Sequence, residues 1–342
     1  MSNPKPVLLD PRHLAGLNGA LLIRKEPGIT SFGIIEELQR DLIAATSVRK
    51  RDLPKLGHGG TLDPFATGLI VVCVGRSVKL ARYFLGAAKH YKGVIRFGES
   101  TVPGDPTAPI TERSDVIPTD IGKLRDLASR LQSQPYLQTP PMYSAKKKDG
   151  KPLYELARAG IEVEREPKLC HLHRFVIQNY ADRRAEFAVS CSSGTYIRTL
   201  AQDFGRLLGT VALLESLDRT GSGEFSLEKA MTLGQIRESL GRGTIWSAMD
   251  CWNPFDSLLG GFDSAWATAD EARALAQGRK NVLFTILRRT KTPEKAAHRF
   301  PQADTCVGIY LKTELVAIAR RDENDNWDLD RVFFDPGQPR PV

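Results

Sequence analysis

The chain has 342 residues, of which 41% are hydrophobic and 26% are charged, and its formal net charge is +8. This length allows about two domains of ~100 to 200 residues each and a sizeable core. No apolar stretch approaches the ~20 residues of a membrane span and no signal-peptide pattern opens the chain, so we expect a cytoplasmic protein without a membrane partner. The basic excess and a pI near 9.2 favour a polyanionic partner such as nucleic acid.

The elements predicted up to residue 131 alternate between strands and helices. Residues 1–18 are polar and rich in proline, so we expect an N-terminal tail or an added edge strand. Residues 100–118 hold several prolines and are expected to form an irregular loop. The remaining elements are, in chain order, a strand at 20–23, a helix capped by Thr30 or Ser31, a strand at 69–74, a short helix at 78–84, a strand at 91–97 and a helix at 119–131.

The second half contains one strongly amphipathic helix and a β-rich C-terminal part. The helix from 195 to 208 has one apolar stripe, and Arg198 lies off that stripe near the helix start, where a nearby carboxylate would offset its unfavourable position. A glycine pair at 260–261 marks a boundary between residues 19–258 and a compact unit at 262–342. The other predicted elements are strands at 172–180 and 185–191, helices at 233–240 and 268–277, and strands near 281–286, 306–311, 315–319 and 331–334.

The cysteines and histidines predict neither a disulfide framework nor a metal centre. His171 and His173 lie two residues apart, but no second ligand pair accompanies them, so we expect them at the surface or facing RNA. The cysteines are odd in number and show no Cys-x-x-Cys spacing. They are Cys73, Cys170, Cys191, Cys251 and Cys306.

The most informative local pattern is a glycine-rich turn around one carboxylate. Residues 57–68 read Gly-His-Gly-Gly-Thr-Leu-Asp-Pro-Phe-Ala-Thr-Gly and precede a strand. The glycines allow positive φ and close backbone approach, and Pro64 pushes Asp63 toward an extended conformation. An isolated Asp-Pro pair is more often a simple Asx-type turn. Together with the other motifs below, the pattern predicts an active-site loop bearing Asp63.

A second loop, at residues 135–151, has the composition of a nucleic-acid contact. It contains Tyr136, Met142 and Tyr143, followed by a run of lysines at 146–148 and Lys151. Aromatic rings stack on bases, at about 1 to 3 kcal/mol per base, and lysines neutralise phosphates. On composition alone, a solvated proline-rich loop is an equal alternative.

Five motifs occur in order between about residues 20 and 225. They are residues 57–68, Tyr91 within Lys-His-Tyr-Lys, residues 138–145 (Gln-Thr-Pro-Pro-Met-Tyr-Ser-Ala), residues 153–158 (Leu-Tyr-Glu-Leu-Ala-Arg) and residues 192–199 (Ser-Ser-Gly-Thr-Tyr-Ile-Arg-Thr). In this order the motifs closely resemble the TruB family of tRNA pseudouridine synthases. One such motif is weak evidence, whereas five in order are very specific.

The resemblance implies a fold and a reaction. The fold is α+β, a pseudouridine synthase fold with a central mixed, largely antiparallel sheet, followed by a small β-rich C-terminal PUA-like domain that binds RNA. The reaction is isomerisation of a uridine in the T loop of tRNA, at position 55, to pseudouridine without a cofactor or metal. The implied partner is the tRNA T arm. No guide RNA is expected, because residues 135–151 resemble a thumb loop that guide-RNA-dependent relatives lack. The enzyme is also expected to be a monomer.

The resemblance also implies roles for individual residues. Asp63 matches the catalytic aspartate, Tyr91 the aromatic residue that stacks on the target base, and Arg198 the arginine paired with the aspartate. His58 matches a residue that helps to flip the nucleotide. A close guanidinium would favour the ionised form of Asp63 in a water-poor pocket. The remaining expected substrate contacts are Tyr196, Leu217, Tyr143, Lys146, Lys147 and Lys25, the last either structural or in contact with phosphate.

One loop departs from the family, and two other functions stay open. Where the family usually has Thr-Asp-Thr-x-Asp, residues 101–105 are Thr-Val-Pro-Gly-Asp, and we interpret this loop as auxiliary to the chemistry. An RNA-binding folding helper is one alternative, but retention of Asp63, Tyr91 and Arg198 argues against pure binding. A nucleic-acid glycosidase is the other; such enzymes generally pair two carboxylates or activate water, and only one carboxylate stands out here.

Overall fold

The computed structural model describes residues 8–144, 147–148, 150–289 and 306–334. The α-helices in these ranges, α1 to α8, are Ser31–Thr46, Ala81–Gly86, Ile121–Gln132, Leu153–Arg158, Ile197–Leu207, Leu233–Gly241, Ala269–Ala276 and Asn281–Arg289. The strands, β1 to β19, are Gly19–Lys25, Leu56–His58, Thr67–Val74, Lys89–Phe97, Glu99–Thr101, Ile110–Arg113, Tyr136–Gln138, Lys147–Lys148, Lys151–Pro152, Lys168–Cys170, Leu172–Ala181, Arg184–Cys191, Ala212–Ser222, Phe225–Ser226, Trp252–Pro254, Asp263–Trp266, Cys306–Leu311, Glu314–Arg321 and Trp327–Val332.

One large mixed sheet forms the centre of the protein. Its strand order is β11, β12, β4, β13, β3, β1, β15, with β2 also paired to β3 and β14 to β13. All these pairs are antiparallel except β13 with β3, which is parallel. Strand β3 lies inside the sheet because its apolar run, residues 69–74, is buried throughout, as expected for a strand covered on both faces. The predicted α+β fold with a mixed, largely antiparallel sheet is confirmed.

Two helices with predicted apolar stripes pack on this sheet. Helix α1 begins at Ser31 because the Thr30 hydroxyl accepts a hydrogen bond from the Gly33 amide at 2.8 Å. Helix α5 packs against β13. The buried residues of the two stripes are Ile34, Ile35, Leu38 and Leu42 in α1, and Ile197, Leu200, Ala201 and Phe204 in α5.

The C-terminal part contains a second, four-stranded sheet in the order β16, β17, β18, β19. The strand predicted near 281–286 is wrong, because these residues belong to helix α8. Leu283 and Ile286 are buried three residues apart whereas Phe284 is exposed, which is a helical pattern that a short apolar run does not reveal. The strand predicted at 331–334 begins four residues earlier, at Trp327.

Residues 8–18 are not a loose tail. Leu9, Leu14 and Leu17 are buried in the same hydrophobic core as the central sheet. A separate hydrophobic cluster lies beneath α7, α8 and the C-terminal sheet. All five cysteines are buried, and they form no disulfide within the described ranges. In the part of the chain that the structure describes, no helix is long and apolar enough to cross a bilayer.

Candidate active site

Asp63 lies on a tight turn between two paired strands. β2 and β3 form an antiparallel pair, and residues 59–66 connect them. The amide of Ala66 donates to the carbonyl of Asp63 at 3.1 Å, which closes a turn with Pro64 at its second position, where a fixed φ is favourable. The Asp63 side chain stays 33% exposed. The predicted loop is therefore present, although β3 begins at Thr67, two residues earlier than expected.

The carboxylate of Asp63 and the guanidinium of Arg198 form a bidentate ion pair. Nε of Arg198 donates to Oδ2 of Asp63 at 2.8 Å, and Nη2 donates to Oδ1 at 3.0 Å. Arg198 lies in the first turn of α5 and is buried, with a side chain only 4% exposed. Matching a planar guanidinium to a carboxylate fixes the orientation of the acid. The arrangement buries the cation and leaves the carboxylate reachable from solvent.

Arg198 is also held by two carbonyls and by a second acid. Its Nη1 donates to the carbonyl of Pro103 and its Nη2 to the carbonyl of Tyr143, each at 2.8 Å. Oδ2 of the buried Asp105 lies 3.6 Å from Nη1. Residues 101–105, interpreted from the sequence as auxiliary to the chemistry, thus lie against the arginine of the ion pair, and their part in the reaction stays a prediction. Gly104, with φ of +77°, presses this loop against α5, so that the loop contacts the ion pair directly.

Tyr91 lies on β4, close enough to Asp63 for the carboxylate charge to affect the pKa of its phenol. It is paired in register with Arg219 of β13, so the two side chains lie on the same face of the sheet. Tyr91 is 9% exposed. Burial raises the pKa of its phenol to about 12; Arg219 opposes this shift and Asp63 adds to it. The ring is therefore uncharged at neutral pH.

Tyr196 and Leu217 border the same region. The side chain of Gln138 clamps the backbone of Tyr196, donating to its carbonyl at 2.9 Å and accepting from its amide at 2.7 Å. Burial raises the pKa of the Tyr196 phenol, and the charge of Asp63 raises it further. Leu217 is buried and lines a cleft of about 510 Å³ that also includes Phe65, two residues after Asp63.

His58 ends β2 beside the Asp63 loop and has an unsatisfied ring nitrogen. Its Nδ1 is buried and has no hydrogen-bond partner among the residues that the structure describes. Burial lowers the pKa of the imidazole, and the nearby Arg219 lowers it further. A neutral imidazole can donate one hydrogen bond and accept another, and the bond of this nitrogen is unmade in the described part of the chain.

Lys25 is not placed to contact RNA. It is 1% exposed, and its ammonium donates to the carbonyls of Ala66, Pro64 and Glu26 at 2.6, 2.9 and 3.0 Å. These three bonds use all three protons of the ammonium group. Of the two roles left open by the sequence, the geometry supports the structural one: Lys25 holds the end of the Asp63 loop, and the predicted phosphate contact is wrong.

The thumb-like loop is described only in part. Its Tyr143 docks on the ion pair through the backbone carbonyl that Arg198 binds. Lys147 lies on β8, which pairs with β9 in a short hairpin, and its side chain is outside the described part. Lys146 is outside the described residues altogether. Phosphate contacts by the two lysines stay predictions.

Arg219 was missed by sequence analysis although a signal was available. It is 2% exposed and lies on β13 between Leu217 and Gly221, which are also buried. Side chains two residues apart on a strand point to the same face. Since Leu217 was already expected in the pocket, this alternation places Arg219 beside it.

Two buried lysines near the site predict that stability rises with pH between about 7 and 8.5. Burial lowers the pKa of Lys89 to about 7 and that of Lys25 to about 8. Between these values and the ordinary value of 10.5, the unfolded chain binds more protons than the folded chain, so the free energy of unfolding increases with pH. Above about pH 9 the rise levels off, because Cys73 and Cys191 ionise in the unfolded chain but stay protonated in the folded chain, where burial raises their pKa to about 12.

Urea unfolding at pH 7.0, 7.75 and 8.5 measures this trend. We expect Lys89→Met to flatten the slope because it removes one titrating group, whereas Lys229→Met, at an exposed position, leaves it unchanged. A wild-type free energy of unfolding that falls across this interval contradicts the prediction.

Comparisons with known proteins agree on one family. The family described as TruB family pseudouridylate synthase (N terminal domain) matches residues 48–197. The tRNA pseudouridine synthase B of Bordetella avium is 46% identical over 223 residues, which cover 65% of this chain and 87% of that protein. The tRNA pseudouridine synthase B of an Azoarcus species is 38% identical over 264 residues, 77% of this chain and 83% of that protein.

Solved structures share the fold along almost the whole chain. A chain in the crystal structure of a Cbf5-Nop10-Gar1 complex superposes with a TM-score of 0.65, covering 98% of this chain and 91% of that chain at 19% identity. Identity this low shows a common fold and no more.

The fold, the acid held by a buried arginine and the sequence matches together define a pseudouridine synthase, an enzyme that isomerises uridine in RNA. Within that class, the chain belongs to the TruB family, since its identity to the Bordetella avium and Azoarcus proteins extends over more than four fifths of each. The resemblance drawn from the five motifs is confirmed.

Proposed function

We propose that this chain converts a uridine in the T loop of tRNA, at position 55, to pseudouridine, and that it does so alone. The observation that carries the proposal is the bidentate pair of Asp63 and Arg198, in which the acid is one third exposed and the cation is buried. Only the carboxylate is thus presented to a substrate. Both relatives described above are named tRNA pseudouridine synthase B, which supports tRNA as the substrate.

The reaction needs one anionic group and no added atoms. The N1–C1′ bond of uridine breaks, the base turns, and a C5–C1′ bond forms, while C5 loses a proton and N1 gains one. The Asp63 carboxylate starts this sequence either by attacking the sugar or by removing a sugar proton, and both routes require the anion. Arg198 orients it through two hydrogen bonds, so the acid is held ready before the substrate arrives.

The target nucleotide must leave its stack to reach Asp63, at a cost of a few kcal/mol. We assign the compensating contacts to groups around the acid. Tyr91 supplies an uncharged aromatic face, His58 a neutral imidazole, Leu217 an apolar wall and Tyr196 a second ring. Tyr143 docks above the pair through its backbone.

The rest of the tRNA is proposed to contact two further regions. Lys146 and Lys147 would neutralise phosphates from the thumb-like loop at 135–151. The C-terminal sheet, within residues 262–342, would act as a PUA-like RNA-binding domain beside the catalytic domain at 19–258. The separate hydrophobic cluster of the C-terminal part supports such a division. A monomeric state, a cytoplasmic location and independence from a guide RNA stay predictions from the sequence.

Incubation of the purified full-length protein with transcribed tRNA tests the proposal. We expect pseudouridine in the T loop at position 55 without any added RNA, cofactor or metal salt, and none when that uridine is replaced by cytidine. Product at another position would refute the substrate assignment. Absence of pseudouridine throughout the tRNA would refute the proposed activity.

A further inference from the structure

Arg219 is a buried arginine whose guanidinium is bound to backbone on both sides of Asp63. Its Nε donates to the carbonyl of Leu69 at 2.7 Å, its Nη2 to Gly60 at 3.0 Å and its Nη1 to Thr61 at 3.3 Å. Gly60 and Thr61 precede Asp63 in the loop, and Leu69 follows it on β3. A single side chain therefore spans the two ends of the loop that presents the acid.

The charge of Arg219 has no carboxylate partner within salt-bridge distance among the described residues. Taking an ion out of water is costly, and backbone carbonyls offset that cost only in part. Burial accordingly lowers the pKa of the guanidinium. A neutral residue would fill the same space without this cost, so the arginine is better explained by what it holds in place.

The loop is shaped to close on Arg219. Gly60 has φ of +145°, and a Cβ there would lie 3.4 Å from Nη1 of Arg219. Gly68 has φ of +109°, and a Cβ there would lie 2.4 Å from the Arg219 backbone. Both conformations favour glycine. A larger residue at position 68 would push the loop away from β13, and the guanidinium bonds would lengthen.

Arg219 also contacts the aromatic residue of the site. Tyr91 is its register partner across β4 and β13, and the phenol interacts with the guanidinium electrostatically. The loop with Asp63 and the ring of Tyr91 belong to different elements, and Arg219 is bound to both. Catalytic groups generally have to be held within about 0.5 Å of their productive geometry, and a misplacement of about 1 Å costs roughly a hundredfold in rate.

We propose that Arg219 is a positioning residue that sets the distance and angle between the Asp63 carboxylate and the Tyr91 ring, so that both act on one flipped nucleotide. The proposal rests on the proposed pseudouridine synthase function. Arg219 itself is sealed from the substrate and takes no part in the chemistry. Its effect is expected in the chemical step and not in tRNA affinity.

Single-turnover and steady-state kinetics of Arg219→Lys test the proposal. Lysine keeps the charge but loses the planar fork that reaches three carbonyls. We expect kcat to fall by about a hundredfold while KM and the Kd for tRNA change less than about threefold. The matched control is Arg184→Lys. Arg184 is an exposed arginine on β12 that binds Glu215 of β13 bidentately, and its replacement should leave kcat unchanged.

Chemical rescue separates positioning from a loss of folding. In Arg219→Ala, guanidinium chloride at low millimolar concentration is expected to restore kcat by about tenfold, because the cation can occupy the vacated site among the carbonyls. Urea at the same concentration should not do so. Thermal melts of both variants are recorded alongside.

The proposal is overturned by an Arg219→Lys variant with unchanged kcat, by a loss confined to KM, or by failure of both variants to fold, which would make Arg219 a residue of the fold alone. If the wild type forms no pseudouridine, the proposed function fails and this inference falls with it, whereas an active wild type beside an unaffected Arg219→Lys variant overturns this inference alone.

Discussion

Asp63→Asn is expected to reduce pseudouridine formation by about a thousandfold or more. The amide has nearly the shape of the carboxylate but carries no negative charge, so it is neither a nucleophile toward the sugar nor a base. The Asp63 carboxylate is one third exposed whereas its partner Arg198 is buried, so the variant removes the member of the pair that a substrate can reach. Affinity for tRNA should stay within a few-fold, since the side chain is small beside the RNA contact. Mapping of pseudouridine in transcribed tRNA over time measures the rate.

The matched control is Asp115→Asn, which makes the same chemical change at an exposed aspartate in the loop before α3. It should react at the wild-type rate. A melting temperature for each variant shows whether the fold survives. Equal product from Asp63→Asn and wild type would remove this carboxylate from the mechanism and, with it, the central argument for catalysis.

Arg198→Lys is expected to lower kcat by about a hundredfold and to destabilise the protein by about 1 to 3 kcal/mol. Lysine is a point donor and does not bind both carboxylate oxygens in the planar manner of arginine. The change also leaves the carbonyls of Pro103 and Tyr143 without their donor. The acid would then rotate, and two loops that meet at the guanidinium would loosen.

Arg206→Lys provides the control in the same helix. Arg206 is largely exposed and pairs with Asp203, three residues earlier, so its replacement should change stability by less than about 0.5 kcal/mol. Steady-state kinetics and urea unfolding of both variants give the comparison. If Arg198→Lys keeps the wild-type kcat, the bidentate geometry has no catalytic importance, whatever its effect on stability.

The sequence predicted a helix or strand correctly where the hydrophobic pattern of that segment fitted only one kind of secondary structure. The continuous apolar run at 69–74 indicated a strand inside the sheet, and the stripe of α5 indicated a helix buried on one side. Helix α8 was mistaken for a strand because a run of six residues fits both periods, and only packing against the C-terminal sheet distinguishes them.

The active site could be predicted only from the five motifs taken in order, and not from any single helix or strand. Within α5 alone, Arg198 lies off the apolar stripe and looked like a surface residue. Hydrophobic periodicity does not show which residues of other elements a polar side chain contacts. The structure buries it because Asp63, 135 residues earlier in the chain, is brought to the first turn of the helix. Likewise, Asp105 was assigned to an accessory loop until the turn at Gly104 placed it beside the guanidinium.

By itself, the sequence determined that the chain has a mixed-sheet catalytic part, a glycine turn that bears one acid, and an ordered set of motifs typical of one enzyme family. The tertiary structure decided which charges are buried around that acid. It showed that Lys25, a possible RNA contact by sequence, binds carbonyls of the Asp63 loop, and that Arg219 binds the same loop from β13. The physical reason is that burying a cation depends on carbonyls and carboxylates from distant segments, and these meet only when the sheet is assembled.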